Sequence, residues 1–288
     1  MIALLWSGIV TGALYALGAL GLVLIYKSTR VVNFGFGNQA ALGAFVVFAL
    51  LQRQQPMPWA AAVAISCVVG LLVSAVLCLA VFPIALRNDI GAVISTLGFG
   101  LILQGVTTIA FGTGTVSLQL PIGDGVMRVM GLVVTTYDLV VLGCAATLIL
   151  GLWLIIERTK IGIAFRAVAN HPEASQICGL SLFQVHLGSW IAASVLALAS
   201  ALLIVPTSYL SPMTVPTFML QAFVAAAIGS FDSLPGAVVG GILIGIFLNL
   251  FNYYVSPELS NTFLVILVLG LLTVFPGGIM SRSVTGRV

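Results

Sequence analysis

Two polar interruptions hold most of the side chains in this 288-residue chain that could meet a solute. The first is Asn33-Phe34-Gly35-Phe36-Gly37-Asn38-Gln39, amides and glycines at the opening of an apolar run. An amide left unpaired in hydrocarbon costs roughly 2–7 kcal/mol, so these side chains must face protein or a watered path. Glycine lets a backbone approach a ligand closely. Asn33, Phe34, Gly37, Asn38 and Gln39 therefore read either as lining of a solute path or as a glycine-softened helix start whose amides bond neighbouring helices. The second interruption runs from Gly229 to Gly236, with Gly229, Ser230, Asp232 and Pro235 as its candidate path residues. Pro235 suits an early helix position. A plain turn and a gate or re-entrant tip both fit.

A third polar stretch, residues 157–181, is a loop with structure of its own. Ala164 to Ala169 and Glu173 to Cys178 can each form a short helix, separated by His171-Pro172. Pro172 would open the second helix, Glu173 would favour its dipole from the first turn, and Gly179 fits its stop. Two short amphipathic helices at a membrane face make a docking element; a solvated connector is the plainer alternative.

Catalysis is not supported. The seven Asp and Glu are spread along the chain, nearly all at the ends of apolar runs, and no nucleophile, base and orienting group share a neighbourhood. A phosphate-binding loop needs Gly-Lys followed by Ser or Thr, whereas Lys27 follows Tyr26 and Lys160 precedes Ile161. ATP hydrolysis by that route is excluded, and no cofactor is expected in this chain. His171 and His186 lack a ligand cluster, and Cys67, Cys78, Cys144 and Cys178 lack paired spacing, so no metal site is expected. The cysteines read as free and mostly buried thiols.

What must position these segments is a membrane bundle. Hydrophobic residues make up 61% of the chain and charged ones 6%, against about 25% charged in soluble domains. Crossing a bilayer takes roughly 20 apolar residues per helix. Such stretches recur at about 3–26, 34–51, 58–82, 90–111, 137–156, 183–206, 235–255 and 259–279, with a shorter one at 217–231. The shorter stretch reaches only about 22 Å; it is a half-span or extends through the turn at Met213 to Pro216. The expectation is an all-α polytopic transmembrane bundle of about eight spans plus a half-span or re-entrant segment, residues 1–288 forming one membrane domain. The opening Met1-Ile-Ala-Leu-Leu-Trp lacks a basic lead and should stay as an anchor.

With the amino terminus outside and every stretch crossing, eight of the ten Lys and Arg fall inside, and only Arg53 and Arg128 outside. Arg282 and Arg287 change sides if one stretch is re-entrant. Scattered singly, these residues report topology and not nucleic-acid binding. A short hairpin packed on the outer face is expected in the loop from Gly112 to Thr136. Gly8/Gly12, Gly236/Gly240 and Gly241/Gly245 have the spacing of close helix packing in lipid. Gly91-Ala-Val-Ile to Gly100 is echoed by Gly236-Ala-Val-Val to Gly245, an internal repeat signal. A secondary transporter would need intramembrane ionisable residues for its coupling ion. The candidates, Asp138 and Asp232, lie near expected boundaries, so an ATPase-independent transporter or channel ranks second and a membrane enzyme third.

The docking loop carries a specific resemblance. Gly162, Ala164, Arg166, Ala167, Ala169, Glu173, Ala174 and Gly179 at their spacing resemble the coupling loop of ABC import permeases, in the form carried by the branched-chain amino acid permease family. Leu24-Ile25-Tyr26 through Asn33-Phe34, Ile228-Gly229 through Gly240-Gly241, and Phe275-Pro276-x-Gly278-Ile279 resemble that family's other landmarks, in order across essentially the whole chain. Where the family commonly has a Gly-Glu pair the chain has Gly37-Asn38, and Ser230, Asp232 and Ser175 also depart from the pattern. The resemblance implies an importer for branched-chain or related amino acids in the bacterial inner membrane. Its expected partners are two cytoplasmic ATPase subunits that use the ATP, a homologous or identical permease, an extracytoplasmic solute-binding protein and membrane lipid. Arg166, Ala167, Glu173, Ala174 and Gly179 would meet the ATPases.

Overall fold

The computed structural model describes residues 1–52, 57–123, 125–129, 132–274, 278 and 280. Arg53, Asp124, Arg282, Arg287 and the motif residues Phe275, Pro276 and Ile279 lie outside the described residues. The helices in chain order are α1 (Ile2–Thr29), α2 (Phe36–Leu51), α3 (Trp59–Ala85), α4 (Asp89–Phe111), α5 (Thr136–Arg158), α6 (Lys160–Asn170), α7 (Pro172–Ile177), α8 (Leu182–Ile204), α9 (Thr214–Gly229), α10 (Leu234–Tyr254) and α11 (Ser260–Val274). Six are long and apolar enough to cross a membrane: α1, α3, α4, α5, α8 and α10, while α2, α9 and α11 are shorter apolar helices. The all-α polytopic expectation holds. Strands β1 (Val126–Val129) and β2 (Leu132–Thr135) form an antiparallel hairpin inside the loop where one was expected.

Short polar side chains set the helix starts. Asn88 Oδ1 accepts from the N–H groups of Ile90 and Gly91 at the start of α4. Ser233 Oγ accepts from Gly236 N–H at the start of α10, at 3.1 Å. These caps occupy equivalent places in the two echoed segments. Thr135 and Asp138 cap α5 reciprocally, and Thr159 and Ser181 cap α6 and α8. Each such cap satisfies a backbone donor that the helix cannot pair internally.

Glycines set the centre of the bundle. A Cβ on Gly12 would lie 2.7 Å from the Ile242 Cα, and one on Gly8 would lie 2.7 Å from the Ile246 Cα. The small-residue pairs Gly8/Gly12 and Gly241/Gly245 therefore meet each other, placing α1 and α10 antiparallel with backbones in contact. Gly236 and Gly240 pack instead against Gly229 and Ala225 of the preceding helix. Around this seam α1 and α8 are largely buried, whereas α3, α4 and α5 keep broad outward faces. That corrects the cysteine expectation. Cys78 alone of the four is buried, Cys67 is half-buried, and Cys144 and Cys178 are exposed. An apolar neighbourhood on a peripheral membrane helix means lipid as readily as core.

The two ends of the bundle are distinct. On one, Trp6 Nε1 donates to Asp138 Oδ2 at 3.3 Å, Asn249 Nδ2 donates to Ser7 Oγ, and Val116 and Leu210 pair as an isolated antiparallel bridge. On the other lie α6, α7, the end of α1 and the α9–α10 turn. Phe165 of α6 packs with Leu24 and Ile156, which holds the docking loop against α1 and α5.

Candidate functional site

Helix α1 stops at Thr29 because Arg30 turns into the left-handed region, with φ 58° and its N–H on Tyr26 O. A short non-helical run follows, ending in a turn at Phe34 and Gly35, and α2 begins only at Phe36. Phe34 N–H donates to Thr96 Oγ1 at 3.2 Å, and a Cβ on Gly100 would lie 2.9 Å from the Gly35 Cα. Thr96 and Gly100 stand seven and eleven residues along α4 from Asp89, about 10 and 16 Å from its start. The amino-terminal end of α2 is thus two to three turns deep in the bundle, and its 16 residues rise only about 24 Å.

The amides gather at this mouth. Asn33 is 1% exposed; its Oδ1 accepts from Gly35 N–H at 2.9 Å, and its Nδ2 has no partner among the described residues. Asn38 Oδ1 is likewise buried without a partner. Asn33 Oδ1 and Asn38 Nδ2 both border the crossing of Gly35 and Gly100. The open donor and the open acceptor therefore belong to two side chains that border the same crossing. Gln39 is different: its Nε2 bonds Gly70 O at 3.1 Å, as the neighbouring-helix reading expects. Gly37 is pressed against α9, where a Cβ would lie 2.8 Å from the Pro216 Cα. Phe34 is 43% exposed, with its ring 5.5 Å from Phe223.

The second interruption is a tight turn. A Cβ on Gly229 would fall 2.0 Å from Gly236 O, so α9 and α10 meet there with no room for a side chain. Ser230 has φ 100°, unusual for a residue other than glycine. Its Oγ accepts from Asp232 N–H, and Asp232 forms an ion pair with Arg30 at 2.7 Å. Pro235 lies exposed in the first turn of α10. The two interruptions are connected through a ladder of aromatic side chains: Phe34 to Phe223, Phe223 to Phe231 at 5.4 Å, and Phe231 to Tyr26 at 5.1 Å.

The docking loop forms both expected helices. Pro172 opens α7, Glu173 lies in its first turn, and Gly179 follows it with φ 83°. Arg166 pairs with Glu157 of α5, and Ala167 O accepts from His171 N–H at 2.9 Å, closing α6. Glu173, Ala174 and Gly179 face outward. So do Ile161, Ile163 and Ile177, the last 88% exposed. These isoleucines were not singled out from sequence, although their place in a polar loop of a charge-poor chain was a readable signal.

Sequence reading also missed a cleft at the opposite end. It is open, about 390 Å³, and lined among others by Tyr15, Ser211, Thr214, Thr217, Phe218 and Gln221. Thr214, Thr217, Phe218 and Gln221 recur at helical spacing on one face of α9, and that pattern was legible. The Tyr15 ring lies tilted against Phe218 with centroids 5.0 Å apart, forming the wall against α1. The cleft is of the size that holds small ligands. Among the described residues no cluster of His, Cys, Asp or Glu could hold a metal ion.

Residues 4–272 match the family described as branched-chain amino acid transport system, permease component. The chain is 30% identical to the probable branched-chain amino acid transport permease protein LivH of Methanocaldococcus jannaschii, covering 96% of this chain and 91% of that protein. It is 26% identical to the high-affinity branched-chain amino acid transport system permease protein LivH of Escherichia coli strain K12, covering 99% and 96%. To the corresponding protein BraD of Pseudomonas aeruginosa it is 25% identical, covering 83% and 82%. With deeply set amides at one level and an exposed two-helix loop at another, this chain belongs to the branched-chain amino acid transport permease family.

Proposed function

We propose that this chain is the transmembrane permease subunit of an ATP-driven importer for branched-chain or related amino acids. The observation that carries the reading is the short, deeply starting α2. It places Asn33 Nδ2, an open donor, and Asn38 Oδ1, an open acceptor, deep in an apolar bundle. A zwitterionic amino acid offers a carboxylate and an ammonium to such a pair, and the amino-terminal end of α2 favours the carboxylate. Solute arrives at the cleft beside Tyr15 and Gln221 from an extracytoplasmic binding protein, then passes the α2 mouth. Gly229, Ser230, Asp232 and Pro235 form the turn that moves on the opposite side.

Two cytoplasmic ATPase subunits bind the ATP and engage α7 around Glu173, Ala174 and Gly179, with Arg166 and Ala167 bracing the loop from α6. Residues 157–181 are thus the coupling loop of one permease domain that fills the chain, placed in the bacterial inner membrane. Helices α2 and α9 are too short to cross a layer of about 30 Å alone, and α9 packs beside both α2 and α11. A second permease, identical or homologous, covers the side of α9 that exposes Met213, Thr217 and Leu220. The long helices, together with α11 and a paired α2, give about eight spans, with α9 as the half-span. Vesicles holding the chain, its ATPases, a permease partner and the binding protein should take up labelled leucine only with ATP inside the ATPase compartment. Uptake by the permease alone under an ion gradient would refute the reading.

A further inference from the structure

Arg30 bonds two of the three segments that stand out in the sequence and lies three residues before the third. Its Nη1 donates to Asp232 Oδ1 at 2.7 Å, in the turn between α9 and α10. Its Nη2 donates to Ala169 O at 3.4 Å, near the end of α6 and one step from α7. Its own backbone ends α1 and opens the short non-helical run to the α2 mouth. The guanidinium also stands 5.9 Å from the Tyr26 ring, the last member of the aromatic ladder from Phe34.

Backbone conformation marks the same junction. Arg30 and Ser230 are the two non-glycine residues with positive φ among those described, 58° and 100°. Such conformations persist where the surroundings over-determine them, and they cluster at switch regions. Here they flank the two ends of one ion pair. The side chains of Arg30 and Asp232 are 52% and 53% exposed, so the pair adds little to folding and is free to break and re-form as the docking loop moves.

We propose that Arg30 is a positioning residue for transport: through Asp232 and the Ala169 carbonyl it makes the docking loop, the α2 mouth and the α9–α10 turn move as one unit. This rests on the importer reading above. The planar guanidinium fork serves two acceptors in different directions, which a single ammonium reproduces poorly.

The test uses the assembled complex in vesicles with binding protein, following phosphate release and labelled leucine uptake together. Arg30→Ala and Asp232→Asn are each expected to keep ATP hydrolysis while raising phosphate released per leucine about fivefold or more, the lower range of coupling between linked sites. Arg30→Lys should raise the ratio less, and the double variant Arg30→Ala/Asp232→Asn no more than either single, since both remove one connection. Co-purification of the ATPases reports assembly. Ratios at the wild-type value in both singles, or hydrolysis and uptake falling in equal proportion, would overturn the role. A wild-type complex without ATP-driven uptake would overturn the importer reading and this role with it.

Discussion

Gly12 and Gly245 meet backbone to backbone: a Cβ on Gly245 would lie 2.3 Å from the Gly12 Cα. No flexible side chain is there to yield, so a larger residue must push α1 and α10 apart. Gly245→Val is expected to cost about 1–3 kcal/mol through overpacking. Gly98, by contrast, has open space where its Cβ would be, and Gly98→Ala should be tolerated. Thermal unfolding of the two variants in detergent checks this; equal midpoints would mean the seam is not under packing constraint.

Gly179 presents the opposite situation. Nothing lies within 4 Å of its Cβ position, but its φ is 83°. Gly179→Val should therefore act through the backbone, at roughly 1–2 kcal/mol, distorting the end of α7 while the protein still inserts. Asn accepts this conformation more readily, so Gly179→Asn should keep function. Leucine-dependent ATP hydrolysis in the complex is expected to be lost in the first variant and retained in the second.

Asn38 separates folding from transport. Its buried Oδ1 has no partner, so Asn38→Leu removes an unsatisfied acceptor and should leave stability unchanged or slightly higher. Leucine uptake should fall about tenfold, equivalent to ~1.4 kcal/mol of barrier. Asn33→Leu should differ, because its Oδ1 caps Gly35 N–H, and both stability and uptake should drop. Parallel uptake and unfolding measurements distinguish the two; undiminished uptake by Asn38→Leu would remove that amide from the path.

Asp138 supplies a control at the other end. Its carboxylate completes the α5 capping box and receives the Trp6 indole N–H. Asp138→Ala is expected to cost about 1–2 kcal/mol and to shift Trp6 fluorescence. Phosphate released per leucine should stay unchanged, since Asp138 lies far from the docking loop.

Much of this architecture was legible in the chain. Each apolar stretch became a helix, Pro172 and Gly179 bounded α7, and a hairpin formed within the loop from Gly112 to Thr136 where one was expected. Apolar run length and local capping chemistry fix such features within a few residues. Partners were not legible. The spacing of Gly8/Gly12 and Gly241/Gly245 announced close packing but not that the two pairs meet, because helix pairing in lipid depends on surfaces far apart in sequence. Arg30 and Asp232, 202 positions apart, gave no local sign of their ion pair. Nor did the run from Val31 to Gly35 announce that α2 starts deep in the bundle, since a five-residue non-helical approach leaves no periodicity to read. Asn33 and Gln39 show both sequence readings at once: one amide has an open donor and the other is bonded to the neighbouring helix.

The most direct measurement is thiol accessibility at the α2 mouth in the working complex. With Cys67, Cys78, Cys144 and Cys178 replaced, Phe34→Cys is treated with a charged, membrane-impermeant thiol reagent, and Leu72→Cys on the outward face of α3 serves as the lipid control. The expected result is modification at position 34 during ATP turnover, slowed by leucine with its binding protein, and none at position 72. Position 34 as inert as position 72, or modified at a rate indifferent to leucine, would contradict a solute path through the α2 mouth.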